Sequence, residues 1–239
     1  MRVIIVGGSF GGVQAALDIK RIEPETEVLL IDKQTELGFV PGSLALILKG
    51  KAASLDELYW VTQQKLEKLG IQVKTGVSCT GLLPENHIGV STGEKLHFDR
   101  LVIATGSHQS FQQNEARSAR IKTCKTEQDV TEILDMLDDL TTVAIIGGGH
   151  VGLELADALS QANKQVHLFE SDSMVMGHYF DEEMLQPLET AIRQSAVDLH
   201  TETFVDEVEE TDEGKVKLFF NETNLEADLV LLANSTRPD

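Results

Sequence analysis

Residues 143–156 read Val143-Ala-Ile-Ile-Gly-Gly-Gly-His-Val-Gly-Leu-Glu-Leu-Ala, and residues 165–170 read Gln165-Val-His-Leu-Phe-Glu. An apolar run ends at Gly147, and Gly147, Gly149 and Gly152 then fall at GxGxxG spacing. A helical pattern follows at once, and a second apolar run ends in an acid. Gly147 permits a tight strand-to-helix turn, Gly149 has no Cβ to hold a pyrophosphate away, and Gly152 lets the helix pack closely on the strand. The phosphates of a dinucleotide would sit at the helix N-terminus, where free N–H groups and the macrodipole favour an anion. Glu170, 18 residues past Gly152, can accept hydrogen bonds from both ribose hydroxyls. A carboxylate there opposes a 2′-phosphate, because two unit charges at 4 Å repel by about 4 kcal/mol at an effective dielectric of 20. The acid therefore favours NADH over NADPH.

The chain opens on a copy of this element. Arg2-Val-Ile-Ile-Val-Gly-Gly-Ser-Phe-Gly-Gly-Val-Gln-Ala-Ala-Leu17 leads to Glu27-Val-Leu-Leu-Ile-Asp32. Gly7 falls on Gly147, Gly12 on Gly152 and Asp32 on Glu170, while the middle position is Ser9, whose hydroxyl can donate to a phosphate. The repeat extends to Leu101-Val-Ile-Ala-Thr-Gly-Ser107 and Leu229-Val-Leu-Leu-Ala-Asn-Ser235, each preceded by an acid, Asp99 and Asp228. A nucleotide-binding β-α-β unit is thus used twice. The fold class expected is α/β, with two Rossmann-like three-layer domains in tandem, 1–110 and 111–239.

Between the loops, Ser54-Leu-Asp-Glu57 reads as a capping box for a helix ending near Leu69, with Gly70 as its stop. Runs near 77–83 and 88–90 read as a small meander leading to the Leu101 strand. The polar stretch 107–120 reads as a linker. Thr126 caps a helix to about Leu140. Asp181 caps another to Ser195, kinked or delayed by Pro187. Phe204–Val208 and Val216–Phe220 read as a hairpin around Gly214.

The net charge of −19 argues against nucleic acid and anionic membrane surfaces as partners. The apolar run 44–48 is too short to span a bilayer. Cys79 and Cys124 stand at no motif spacing, which suits a reducing cytoplasm. Thr126 begins its helix just after Cys124, a position that could acidify a thiol, although a structural thiol is the plainer reading. The acids of 202–213 read as a solvated face, and the histidines at 87, 97, 108, 167, 178 and 200 show no metal-ligand spacing, so no metal is expected. Tyr59, Trp60, Met174 and Met176 read as packing residues.

Two glycine loops, an Ala-Thr-Gly turn and a closing Ala-Asn-Ser-Thr-Arg-Pro-Asp together resemble the two-dinucleotide flavoproteins, the pyridine nucleotide-disulfide oxidoreductase family. Gly152–Ala156 and Tyr179–Leu185 resemble in particular its NADH oxidase, NADH peroxidase and coenzyme A-disulfide reductase branch. The resemblance implies FAD on the first loop, surrounded by Gly7, Ser9, Phe10, Gly12, Asp32, Lys33, Cys79 (through its backbone), Ala104, Thr105 and Gly106. It implies NADH on the second, held by Gly147, Gly149, His150, Val151, Gly152 and Glu170, with Ser235 at the closing turn. His150 falls where the family often has an aromatic gate, and a loop histidine touching solvent or phosphate is the plainer reading.

Two residues depart from that branch. Its redox cysteine follows the first unit, and here the stretch is Phe39-Val-Pro-Gly-Ser-Leu-Ala45, with Gly42 in the cysteine's place. A histidine of the first glycine loop is replaced by Phe10. Thiol chemistry needs a sulfur beside the flavin. The expected activity is therefore FAD-dependent NADH oxidation that passes electrons to a small-molecule acceptor, O2 first, without a redox cysteine. A quinone or electron-transfer-protein reductase and a non-catalytic nucleotide-binding module are the alternatives. The family chain continues into a second FAD segment and an interface domain not contained in these 239 residues, and the resemblance implies a homodimer formed through that domain.

Overall fold

The structure, a computed structural model of the 239-residue chain, describes residues 1–109, 119–234 and 236–238. Contacts divide it into two compact units: residues 1–40, 56–108 and 238–239, and residues 41–55 with 109–237. Residues 41–55 therefore fall with the second glycine loop, not the first.

In the first unit β1 (Arg2–Val6) leads through the glycine turn into α1 (Phe10–Ile22) and back to β2 (Glu27–Ile31). Strands β3 (Ile71–Lys74) and β7 (Arg100–Ile103) complete a parallel sheet of order β3-β2-β1-β7. Nearly every residue of β1 and β2 is buried, as expected of strands covered on both faces. Alternation sends Val3, Ile5, Val28 and Leu30 into a cluster with Val13, Ala16 and Leu66 on the helical side. Ile4, Val6, Leu29 and Ile31 meet Ile88 and Val90 on the other side. Those two belong to a three-stranded antiparallel meander, β4 (Cys79–Leu83), β5 (His87–Val90) and β6 (Lys95–His97).

The continuous helix expected over 54–69 does not form. Leu55–Leu58 makes one 3-10 turn, and α3 spans only Gln63–Lys68, with Thr62 as its cap accepting from the Lys65 N–H at 3.3 Å. The intervening backbone bonds elsewhere: Val40 N–H donates to Leu58 O at 2.9 Å and Trp60 N–H to Gly38 O at 3.0 Å. Tyr59-Trp60-Val61 is an aromatic and β-branched run, which favours extended backbone over helix.

The second unit repeats the plan. β10 (Thr142–Ile146), α5 (His150–Gln161) and β11 (Gln165–Phe169) correspond to β1, α1 and β2. With β12 (Val197–His200), β16 (Leu229–Leu232) and β9 (Ile121–Lys122) they build a parallel sheet of order β12-β11-β10-β16-β9. Its meander is β13 (Glu207–Glu210), β14 (Val216–Phe220) and β15 (Thr223–Ala227), a third strand beyond the expected hairpin. Ala144, Ile146, Phe169 and Val230 pack against Val208, Val216 and Leu218 of that meander.

Helix α4 (Glu127–Met136) starts at Thr126, whose hydroxyl accepts from Asp129 N–H at 3.1 Å. Helix α6 (Glu182–Arg193) follows Asp181, which stands at the N-cap without a side-chain cap bond, and contains Pro187 within it, so its start is not delayed. Short helix α2 (Leu44–Leu48) is held to this unit by a Lys49–Asp157 ion pair of 2.6 Å. Two short strands, β8 (Ser107–Gln109) and β17 (Thr236–Pro238), lie where the chain passes between units. The linker reading falls largely on 110–118, outside the described residues. No described helix is long and apolar enough to cross a membrane.

Candidate nucleotide-binding sites

The two glycine loops match bond for bond. Gly7 N–H donates to Ile31 O and Gly147 N–H to Phe169 O, both at 2.8 Å. Ala104 N–H donates to Val6 O and Ala233 N–H to Ile146 O, both at 2.8 Å. The acids that end β2 and β11 bind the loops themselves. Asp32 Oδ2 accepts from Gly8 N–H, and Glu170 Oε2 accepts from Gly148 N–H at 2.7 Å. Their other oxygens accept from Gln34 N–H at 2.7 Å and Asp172 N–H at 2.9 Å.

The three glycines of each loop are not equivalent. At Gly7 and Gly147, φ is +111° and +113°, and a Cβ would overlap the Ala104 carbonyl or lie 2.6 Å from Asn234 N. At Gly12 and Gly152 a Cβ would overlap the carbonyl oxygens of Gly7 and Gly147. Backbone packing alone therefore excludes side chains at the outer positions. At Gly149 no described atom comes within 4 Å of where a Cβ would stand. Ser9 occupies the equivalent place, is exposed, and makes no side-chain cap bond to α1. The middle position is thus clear at Gly149 and holds an exposed hydroxyl at Ser9, each at the start of a helix of twelve residues or more.

Around the second loop lies a cavity of about 610 Å³, within the size range of small-molecule sites. Gly147, Gly149, His150, Val151 and Glu170 line it, so the structure gathers most of the residues expected there. Gly152 is buried behind them, and Ser235 lies outside the described residues. The cavity also takes in Met176, read from sequence as packing. Met176 has φ +61° and donates its N–H to Gly148 O at 3.0 Å. Asn234 contributes a buried Oδ1 that finds no donor among the described residues. Its signal in the sequence was its place in the second copy of the Ala-Thr-Gly turn, matching Thr105.

Near the first loop, Phe10 is half exposed and stacks on Trp60 at 5.4 Å. Lys33, Thr105 and Gly106 are exposed, and Asp32 and Ala104 are half-buried. Cys79 is half-buried at the start of β4, beside an irregularity in its pairing with β5.

Gly42 has φ +78°, a conformation in which L residues are strained, and donates its N–H to Cys124 O at 2.7 Å. Cys124 is buried, and burial, with the nearby Asp129 charge, pushes its thiol up to about 12. The acidification that its place before a helix cap suggests does not occur.

A family model described as pyridine nucleotide-disulphide oxidoreductase matches residues 1–239. An NADH oxidase of Enterococcus faecalis is 26% identical over 247 residues, covering 100% of this chain and 55% of that protein. The solved water-forming NADH oxidase from Lactobacillus brevis, bound to NADH, has a TM-score of 0.91 and 26% identity, covering 100% of this chain and 54% of that one. A putidaredoxin reductase in covalent complex with putidaredoxin has a TM-score of 0.88 and 27% identity, covering 99% and 59%. The chain spans about half the length of the curated relatives it matches.

Proposed function

Because the chain belongs to the pyridine nucleotide-disulphide oxidoreductase family, we propose that it binds FAD on the first glycine loop and NADH on the second and oxidises NADH without a protein thiol. The observation that carries this reading is the open middle position at Gly149. No packing need of the protein keeps it clear, whereas a pyrophosphate at the helix N-terminus needs that space; in the first loop the exposed Ser9 hydroxyl stands there as a donor to phosphate.

On this reading Gly7, Ser9, Phe10, Gly12, Asp32, Lys33, Cys79, Ala104, Thr105 and Gly106 hold FAD. Gly147, Gly149, His150, Val151, Gly152 and Glu170 hold NADH, with Ser235 at the turn. In chain order residues 1–110 then form the first FAD segment and 111–239 the NADH domain, with 41–55 grouped in the second unit. The N–H groups that open α1 and α5 neutralise phosphate charge. Glu170 keeps one face of its carboxylate on the loop and turns lone pairs to ribose hydroxyls, rejecting a 2′-phosphate by repulsion. Asn234 Oδ1 takes an N–H or O–H donor from the ligand, relieving a buried acceptor that otherwise costs free energy. When bound, FAD supplies the two-electron chemistry, taking hydride from NADH and releasing electrons to an acceptor.

The absence of a thiol relay rests on three residues. Gly42 stands in the family's cysteine position, Cys124 stays protonated, and Cys79 belongs to the first unit's meander. With no thiol in place, bound FAD would supply electrons to the acceptor without a protein relay, and with O2 the overall balance would be NADH + H⁺ + O2 giving NAD⁺ and H2O2. The likeness to a reductase solved with putidaredoxin supports a second reading, in which a small electron-transfer protein is the acceptor. The homodimer, the soluble cytoplasmic setting and the small-molecule acceptor belong to this proposal as well.

The test uses the protein at its native length, loaded with FAD and given NADH in air. Catalase added at the end is expected to return half of the oxygen consumed. No oxygen uptake, with rapid NADH oxidation by a quinone or small electron carrier, would favour the second reading. Failure to take up FAD would overturn both.

A further inference from the structure

Three metal-ligating side chains converge in the second unit, next to Phe169 and Glu170 of the nucleotide cavity lining but not themselves lining it. β11 and β12 pair in parallel register with His167 opposite Asp198 and Phe169 opposite His200. Residues in register share a face, and i, i+2 residues of a strand share it too, so His167, Asp198 and His200 emerge together. His167 Nδ1 lies 3.2 Å from His200 Nε2 and 3.2 Å from Asp198 Oδ2. His200 Nε2 lies 3.5 Å from the same Asp198 oxygen. His167 is 8% exposed, His200 26% and Asp198 61%, so the triangle has a buried corner and an open one.

One proton can bridge the two imidazoles and two can both go to Asp198 Oδ2, but no placement makes all three edges attractive at once while Asp198 is ionised. If both nitrogens carry protons, the two imidazoles face each other as donors. If one does, the bare nitrogen faces the carboxylate as a second acceptor. If neither does, all three edges set lone pair against lone pair. A cation at the centre satisfies all three at once. The dimensions agree: a tetrahedron with metal–ligand distances of about 2.0–2.1 Å has edges of about 3.3–3.4 Å, against 3.2, 3.2 and 3.5 Å here.

The surroundings also hold the ligands still. His200 stacks on Phe169 at 4.6 Å and 9° and lies 5.9 Å from Phe220, which fixes its ring. Gln165 Nε2 sits 3.3 Å from His167 Nε2. With that amide turned over, its oxygen accepts the Nε2 proton and leaves the Nδ1 lone pair for a metal.

We propose that His167, Asp198 and His200 form a binding site for one divalent transition metal of the zinc class. Two imidazoles and one carboxylate suit Zn²⁺ better than Mg²⁺ or Ca²⁺, which prefer all-oxygen sets. The fourth position faces solvent beside the exposed Asp198 and takes water. The site clasps edge strand β12 to β11, and the His200 carbonyl accepts the Glu170 N–H at 2.9 Å. The metal thus steadies the strand end that carries the backbone of the nucleotide-loop acid. It is independent of the redox reading above.

The test is calorimetric titration of the untagged, EDTA-stripped chain with ZnCl2, with Co²⁺ as an optical probe. One equivalent of Zn²⁺ is expected to bind and raise the melting temperature. Co²⁺ is expected to give the intense visible bands of a four-coordinate site. Asp198→Asn, at the exposed corner, is expected to weaken binding at least tenfold while melting like the wild type in EDTA, and His200→Gln to weaken binding as much with some loss of stability from the Phe169 stack. Absence of saturable one-equivalent binding, or binding that both substitutions leave unchanged, would overturn the proposal. Because the wild-type titration needs no variant, a substitution that fails to fold does not remove the test.

Discussion

Glu170 Oε2 accepts a hydrogen bond from the N–H of Gly148 at 2.7 Å, so the acid proposed to meet the ribose also braces the glycine loop proposed to receive the phosphates. Asp32 and Gly8 make the same bond in the first unit. On the proposed reading an acid at this place has two roles, and its loss should be felt in both.

Glu170→Ala is expected to lower stability by about 2 kcal/mol, through a half-buried N–H left without its charged acceptor. It should also raise the KM for NADH at least about tenfold, roughly 1.4 kcal/mol of binding, while KM for NADPH changes less. Thermal melts and steady-state kinetics with both nucleotides measure this. Equal losses for NADH and NADPH would separate the acid from nucleotide choice.

The glycines divide by what their missing Cβ would meet. Gly152→Ala drives a methyl group into the Gly147 carbonyl and is expected to cost about 3 kcal/mol or to prevent folding. Gly149→Ala meets nothing in the protein and, as a helix N-cap change, is expected to cost about 1 kcal/mol or less. Yet it should weaken NADH binding at least tenfold, as read by fluorescence titration. A Gly149→Ala protein that binds NADH normally would show that the open space is not kept for a phosphate.

Much of this was legible from residue order, because a duplicated strand–glycine loop–helix–strand–acid pattern admits few arrangements. Gly7 and Gly147, Asp32 and Glu170, and Asp99 and Asp228 were paired by sequence, and they make matching backbone bonds in the structure. The break at Tyr59–Val61 was not legible, since the partner strand segment 38–40 lies far back in the chain and overrides the local capping signal. His167 and His200 show no metal-ligand spacing in the sequence for a related reason. They stand 33 residues apart, and only the β11–β12 register brings them together. Met176 joined the cavity through a left-handed backbone turn that no periodicity announces.

Cys124 is expected to behave as a packing residue. With its thiol pushed up to about 12, it should resist iodoacetamide in the native protein at pH 8 and label fully after denaturation. Cys124→Ser should change NADH oxidation less than twofold. Native labelling at the rate of a free thiol would contradict the burial described here.

Asp228 accepts from Thr141 N–H and Thr142 N–H, both at 2.8 Å. Burial opposes its ionisation, but these two bonds and the Lys215 and Arg120 charges outweigh it and hold the carboxyl below its ordinary 3.8. A depressed carboxyl contributes stability that is present above the ordinary value and lost as pH falls through the folded one. Asp228→Asn is therefore expected to melt lower than wild type at pH 7, by about 1 kcal/mol. The gap should close as pH drops below 3.8, as followed by melts across an acid series. A gap that stays constant throughout the acid series would assign the loss to packing.

The central claim, that hydride passes to flavin with no thiol relay, is tested most directly by anaerobic titration of the FAD-loaded protein at its native length with NADH. Full bleaching of the flavin at one NADH per FAD, two electrons with no further acceptor in the protein, is the result expected with Gly42 in the cysteine's place. Consumption of two NADH per FAD before the absorbance change is complete would reveal a second two-electron centre and contradict the account.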